Sequence, residues 1–535
     1  MRGHSKRGNR EILLVSPRER HVAPERERAA NVTDGSGAMN ADRKSDRPIV
    51  PETPANKGAA VAPAESVEGR GLTKRNAKQN ASSRTQGRKK RESRGLQGVR
   101  EAAREDSKLR FTALLHHIDE SCLAEAFYNL KKTSAAGVDG VTWQEYERNL
   151  EDNIANLHDR IHRGAYRAKP ARRSWIPKPD GRQRPLGITA LEDKIVQRAV
   201  LWVLQALYEQ DFLGFSYGFR PHRSQHDALD ALSVAIVTKK VNWILDADIK
   251  GFFDNIDHQR LMEFLEHRIG DRRILRLIRK WLKAGIIEDG EWSDTTQGTP
   301  QGAVLSPLLA NVFLHYVFDL WIQWWRKQHC RGDVIIVRYA DDFVIGFQHQ
   351  SEAVKCLKAL HDRFGKFGLT LHEDKTRLIE FGRYAEERRR RNGMGRPETF
   401  AFLGFTHICG TSRQRKEFTV VRRTVTKRLR ATLQAIKQKL RRRMHDSLGD
   451  TGRWLRSVAR GWMQYHAVPH NYKAVETFLR EITRAWLHCL RRRSQRGRWT
   501  WDRWDRVAKL YLPRPRILHP YPITRFRARL KVGAV

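Results

Sequence analysis

The sequence predicts an α+β chain with four stretches of different texture. These are a disordered basic tail over residues 1–105, a mixed helix–strand region over 106–410, an all-helical region over 411–495, and a short basic Trp- and Pro-rich end over 496–535. Three observations predict it. The first hundred or so residues are rich in Arg, Lys, Glu, Ser, Gly, Ala and Pro and almost free of aromatics, so they bury too little apolar surface to offset their ordering entropy. From about 108 to 410, helical stretches alternate with short apolar strands punctuated by Gly and Pro, the mark of mixed structure. Beyond about 418, apolar residues recur every three or four positions, as on one face of amphipathic helices.

Taken in order, the tail carries a basic run, Arg88–Arg94 (RKKRESR), either a nucleic-acid arm or a solvated extension. The mixed region holds helical stretches at Leu191–Tyr208 and Leu308–Trp325 and strands at Trp243–Ile249, Val334–Tyr339 and Phe343–Phe347. Residues 383–397 (RYAEERRRRNGMGRP) read as a basic loop. Three apolar stripes follow: Val425, Leu429, Leu433, Ile436 and Leu440; then Leu455, Val458, Trp462 and Tyr465; then Val475, Phe478, Leu479, Ile482 and Trp486. Their opposite faces are loaded with Arg and Lys, which suits a solvated bundle or a nucleic-acid face equally.

Composition narrows the function. Of 535 residues, 102 are Lys or Arg and 60 Asp or Glu, a net charge of +42. That excess argues against an ordinary metabolic enzyme and calls for a polyanionic partner. No run approaches the roughly 18 apolar residues of a spanning helix, so no membrane partner is expected. The N-terminal MRGHSKRGNR lacks the pattern of a secretory leader. Cysteines 122, 330, 356, 409 and 489 form no C-x-x-C pair, which speaks against a disulfide framework or a cysteine–zinc site.

The chemistry lies in carboxylates. In IIVRYADDFVIGF (335–347) two apolar strands flank Ala340-Asp341-Asp342, a hairpin with two aspartates at its tip. Adjacent carboxylates repel unless a cation neutralises them, and hard divalent ions take such oxygen ligands. In NWILDADIKGFFD (242–254) the alternation puts Trp243, Leu245, Ala247 and Ile249 on one face and Asp246 and Asp248 on the other, open one. Three aspartates on two strands suit a two-metal displacement. With the positive charge, this points to nucleotidyl transfer.

Tyr339-Ala340-Asp341-Asp342 is the YADD signature of non-long-terminal-repeat reverse transcriptases, and the chain resembles the reverse transcriptase/maturase of bacterial group II introns. The resemblance runs in order through GVDGVT (137–142), IPKPDGRQRPLGI (176–188), SYGFRPHRS (216–224), DIKGFFDNIDH (248–258), QGTPQGAVLSPLLANVFLH (297–315), YADD, LHEDKTRLIEF (371–381) and FLGF (402–405). It implies a right-hand polymerase, with fingers and an antiparallel-sheet palm over 106–410 and a helical thumb, the maturase domain X, over 411–495. It also implies two Mg²⁺ ions, deoxynucleoside triphosphates, a DNA target and primer, and group II intron RNA as partners. The place of action would be the cytoplasm, on the nucleoid during mobilisation.

By the resemblance, Asp248 and Asp341 would bridge both ions and Asp342 would be the third, less direct carboxylate, while Asp246 and Asp254 would be structural or peripheral. Lys178 and Arg184 would clamp the triphosphate or contact RNA phosphates. Phe253 would exclude a 2′-OH, although by spacing alone it reads as a core aromatic. Gln301 would contact nucleotide and template. Lys375 would protonate the leaving pyrophosphate or form a simple salt bridge. Phe402, Leu403, Gly404 and Phe405 would form the primer grip. Arg441, Arg442 and Arg443, ending the first thumb helix, would hold nucleic acid. Trp499, Trp501 and Trp504 would stack on bases or anchor a terminal module. The chain departs from a common family pattern, because nothing after residue 490 offers the His and Cys-x-x-Cys ligands of an endonuclease. Priming from another 3′ end, such as a nascent strand at a replication fork, is therefore expected. Ala303 stands where the family usually has Gly. A splicing factor that folds intron RNA, and a retron, diversity-generating or CRISPR-adaptation reverse transcriptase, are the other readings.

Overall fold

A computed structural model describes residues 84–177, 183–288, 290–293, 297–412, 416–493 and 499–526, with side chains from residue 95. Eleven strands run in chain order through these residues. They are β1 (Ala171–Pro177), β2 (Gln183–Ile188), β3 (Trp243–Asp248), β4 (Ile286–Glu288), β5 (Glu291–Ser293), β6 (Val334–Tyr339), β7 (Asp342–Phe347), β8 (Arg377–Glu380), β9 (Phe400–Phe402), β10 (Phe405–Thr411) and β11 (Phe418–Thr424). They form three sheets, ordered β2-β1-β4-β5, β6-β7-β3-β8 and β11-β10-β9. The second, wholly antiparallel sheet carries the aspartates.

That sheet is covered on both faces. Leu245, Ala247, Phe343 and Ile345 join the large core built on helix Leu191–Asp211. Ile244, Val337, Val344 and Ile379 join a second core under helix Gln225–Thr238. The face of β3 expected to be open is therefore closed along most of its length, and Asp246 is buried. Ser224 and Asp227 start the covering helix with a reciprocal capping box.

Three expectations need correction. The tail does not run unstructured to residue 105, because a helix spans Arg84–Glu105 and packs on helix Leu191–Asp211. Val99 and Ala103 are buried there, and Arg268 donates to the carbonyls of Ala103, Asp106 and Leu109 while pairing with Asp211. Those few apolar residues were hidden among charges in the composition. The Arg88–Arg94 run lies on this helix and its side chains lie outside the described ones, as do residues 1–83. Second, the segment 383–397 contains a helical turn, Ala385–Arg391, rather than loop throughout. Its arginines pair locally with Glu380, Glu386, Glu387 and Glu398. Third, the boundary at 410/411 cuts through β10, and β11 belongs with β9 and β10. Helix begins only at Thr426.

Helices Thr426–Arg442, Leu448–His466 and Tyr472–Arg491 then pack most of the three apolar stripes into one core, whereas Val425 precedes the first helix and Tyr465 packs against the second core of the palm sheet. Helix Trp501–Tyr511 is part of this bundle rather than a separate module. Trp504 is fully buried, edge-on to Trp486 with ring centroids 4.7 Å apart, so it anchors the core, whereas Trp501 is exposed. No helix among the described residues is long and apolar enough to cross a membrane.

Deleting residues through Glu105 should cost about 2 kcal/mol or more, the burial of a valine-sized side chain plus the Ala103 carbonyl that Arg268 loses as a partner. Thermal unfolding against the same chain cut before Arg84 measures the difference.

Candidate active site

Strand register brings the aspartates together. Asp248 ends β3 directly opposite Asp342, which starts β7. The β6–β7 hairpin closes with Tyr339 opposite Asp342, leaving Ala340 and Asp341 as the two turn residues. Ala340 takes φ +58°, the left-handed first position that suits a two-residue hairpin. Asp246 lies two residues before Asp248 on the same face of β3, with Arg377 of β8 in register beside it.

The electrostatics follow from this crowding. Burial pushes the Asp342 carboxyl well above the ordinary range, and Asp246, Asp248 and Asp341 push it further, against a pull from Arg428. Burial likewise raises Asp246 to about 6, opposed by Arg377, whose Nη2 is 3.6 Å from Asp246 Oδ2. The Lys375 Nζ donates to Asp248 Oδ2, so the salt-bridge alternative for Lys375 describes the free chain. Among the described residues no three His, Cys, Asp or Glu side chains already enclose a cation position. The donor chemistry nonetheless fits one: hard carboxylate oxygens, short of positive charge, with one ammonium filling part of the deficit.

An open cleft of about 2710 Å³ joins these carboxylates to other expected site residues. Arg184 on β2 and Gln301 line it, with the Gln301 carbonyl accepting from the Gly187 N–H at 2.8 Å. Phe253 lines it half-buried, edge-on to the fully buried Phe252. Phe252, which also borders the cleft, is buried in the core, and Phe253 is half-buried between that core and the cleft. Lys178 lies outside the described residues. Asp254 is exposed at the cleft wall.

The FLGF motif is a two-residue hairpin between β9 and β10. Phe402 pairs with Phe405, and Leu403 and Gly404 both have positive φ, +46° and +80°. Both phenylalanines are buried, and Leu403 faces the cleft. Tyr465 of the second thumb helix donates to the Leu403 carbonyl at 2.7 Å.

Two features escaped the sequence reading. Arg428, on the first thumb helix, lines the cleft and attracts Asp342. Arg377 pairs with Asp246 from the neighbouring strand. Each looks like one more surface cation in a strongly basic sequence. The three arginines 441–443 do not line the cleft. Arg441 and Arg442 are exposed, and Arg443 bonds Asp446 at 2.7 Å and lies over the Trp454 ring while staying partly exposed.

A model of the reverse transcriptase (RNA-dependent DNA polymerase) family matches residues 176–407. The chain is 35% identical over 310 residues to protein YkfC of Escherichia coli K12, covering 51% of this chain and 81% of YkfC. It is 39% identical over 191 residues to the group II intron-encoded protein LtrA of Lactococcus lactis, covering 36% of this chain and 32% of LtrA. It is 28% identical over 92 residues to nuclear intron maturase 1 of Arabidopsis thaliana, 17% of this chain and 13% of that protein.

Replacing Lys375 by Met should tighten Mn²⁺ binding to the substrate-free protein, because a cation at Asp248 then displaces no ammonium. Electron paramagnetic resonance of free Mn²⁺ measures it. Ordered motifs, carboxylate-bearing palm sheet and matched relatives agree, and the chain belongs to the reverse transcriptases, among those of the group II intron reverse transcriptase/maturase type.

Proposed function

We propose that this chain is an RNA-directed DNA polymerase that copies group II intron RNA into DNA during retrohoming and binds that RNA as a maturase to assist splicing. The observation that carries the polymerase reading is the meeting of Asp248, Asp341 and Asp342 at one end of the palm sheet, at the floor of a cleft reached by fingers and thumb. Asp248 and Asp341 would hold two Mg²⁺ ions with Asp342 beside them. Such ions lower the pKa of an attacking 3′-hydroxyl and stabilise the leaving pyrophosphate.

The chain's own residues supply the rest. Arg184, with Lys178, would bind the triphosphate of an incoming deoxynucleotide by fixed positive charge. Phe253 at the cleft wall would meet the sugar and refuse a 2′-hydroxyl. Gln301 would orient nucleotide against template. Lys375, drawn off Asp248, would carry a proton to pyrophosphate. The grip turn Phe402–Phe405, tied to the thumb through Tyr465, would seat the primer end. For RNA binding, the exposed Arg441 and Arg442 and the other basic thumb faces offer phosphate contacts, and affinity through them falls with salt as counterion release requires.

Asp341→Asn should abolish primer extension on an RNA template while leaving intron RNA affinity within a few-fold, because the carboxylate tip is separate from the basic faces. The loss of transition-state stabilisation is several kcal/mol, and near-normal extension would sink the metal assignment. Phe253→Ala should raise ribonucleotide incorporation relative to deoxynucleotide incorporation; an unchanged ratio would return this ring to the core.

A further inference from the structure

We propose that Arg338 is a positioning residue for Asp341: together with Asp319, Asn311 and Gly218 it clamps the Ala340–Asp341 turn in its left-handed shape and so sets where the metal-holding carboxylate stands. The proposal rests on the reading of Asp341 as a metal ligand.

Arg338 is fully buried, an unusual place for a guanidinium, and so is its partner Asp319. Its Nε and Nη2 fork onto the two Asp319 oxygens, the first at 2.7 Å. The remaining Nη1 donates at 3.0 Å to the Ala340 carbonyl and at 3.0 Å to Asn311 Oδ1. Asn311 in turn donates to the Gly218 carbonyl at 2.7 Å. Gly218 lies against the turn so closely that a Cβ there would strike the Ala340 backbone nitrogen. The Arg338 backbone holds the same loop, donating to the Phe215 carbonyl and accepting from the Tyr217 N–H, both at 2.9 Å.

Asp319 reaches this position through a helical irregularity. A π-helical turn, His315–Asp319, interrupts the run between helices Ser306–Leu314 and Leu320–His329. Such a turn costs hydrogen-bond geometry and is kept where it aims a side chain. An alanine at φ +58° costs about 1 kcal/mol or more relative to its ordinary conformations. The clamp offsets that cost by binding the carbonyl of the strained residue. A simpler fold-stabilising role would be met by the Arg338–Asp319 pair alone; the third arm, to Ala340, is the one that bears on the site. Arginine is required because only its planar fork reaches both partners, whereas a lysine ammonium reaches one.

Arg338→Lys keeps the charge opposite Asp319 and releases Ala340. It should lower kcat for primer extension about tenfold or more with the deoxynucleotide KM within about threefold, the signature of a lost transition-state contact rather than lost binding. Mn²⁺ binding to the substrate-free protein should weaken in parallel. Adding Ala340→Gly, which makes the left-handed turn free of steric cost, should restore most of both. Wild-type kcat and Mn²⁺ binding in Arg338→Lys, or a loss that Ala340→Gly leaves untouched, overturns the proposal. If Arg338→Lys does not fold, Gly218→Ala presses on the same turn without disturbing the buried pair, and wild-type values there overturn it. Full activity in Asp341→Asn would instead remove the reading of the site on which the clamp rests.

Discussion

Like charges at the head of the palm sheet set the terms for the rest of the molecule. Asp248 faces Asp342 across the ladder, Asp341 precedes Asp342 in the turn, and Asp246 is two residues behind Asp248. Unit charges about 4 Å apart repel by about 1 kcal/mol in water and by several times that near a protein interior. The fold brings cations to this point from three separate elements. Arg377 comes from β8, Lys375 from the loop before it, and Arg428 from the thumb. Dispersed positive charge of this kind offsets the repulsion among the carboxylates.

The same demand explains how closely thumb and palm are joined. Arg428 can act on Asp342 only if the first thumb helix is held over the palm, and the third sheet does this. β11 leads directly into that helix, while Arg422 on β11 is buried against Asp230 of the palm helix at 2.8 Å. Arg525, near the end of the described chain, reaches Asp227 and Asp230 of the same helix at 3.1 and 3.4 Å. Buried ion pairs contribute little net stability, but removing one partner is costly. They therefore specify one arrangement of thumb on palm more than they strengthen it. Tyr465 and the Leu403–Gly404 turn add a neutral hydrogen bond to the same seam.

The local sequence determined a good deal. Short apolar runs marked β3, β6 and β7, alternating only in β3, and Asp341 and Asp342 sit at the hairpin tip because two apolar strands of matched length flank them. The thumb stripes at three- and four-residue spacing became helices that pack most of those residues into one core. Ordered motifs carried the family. These features depend on near neighbours in the chain, where residue pattern and conformation are tied most directly.

Tertiary structure decided what distance along the chain conceals. Helix Arg84–Glu105 looks solvated by composition and is docked by Val99, Ala103 and the guanidinium of Arg268, which is more than 150 residues away. Arg443, one of three consecutive arginines, is held by Asp446 and the Trp454 ring. Arg338, Arg377 and Arg428 are three among 102 basic residues in the sequence. Packing alone made one a fully buried anchor of the YADD turn, one the partner of Asp246 and one the thumb cation facing Asp342. A charge reveals its role only through what faces it, and the sequence by itself cannot say what faces an arginine.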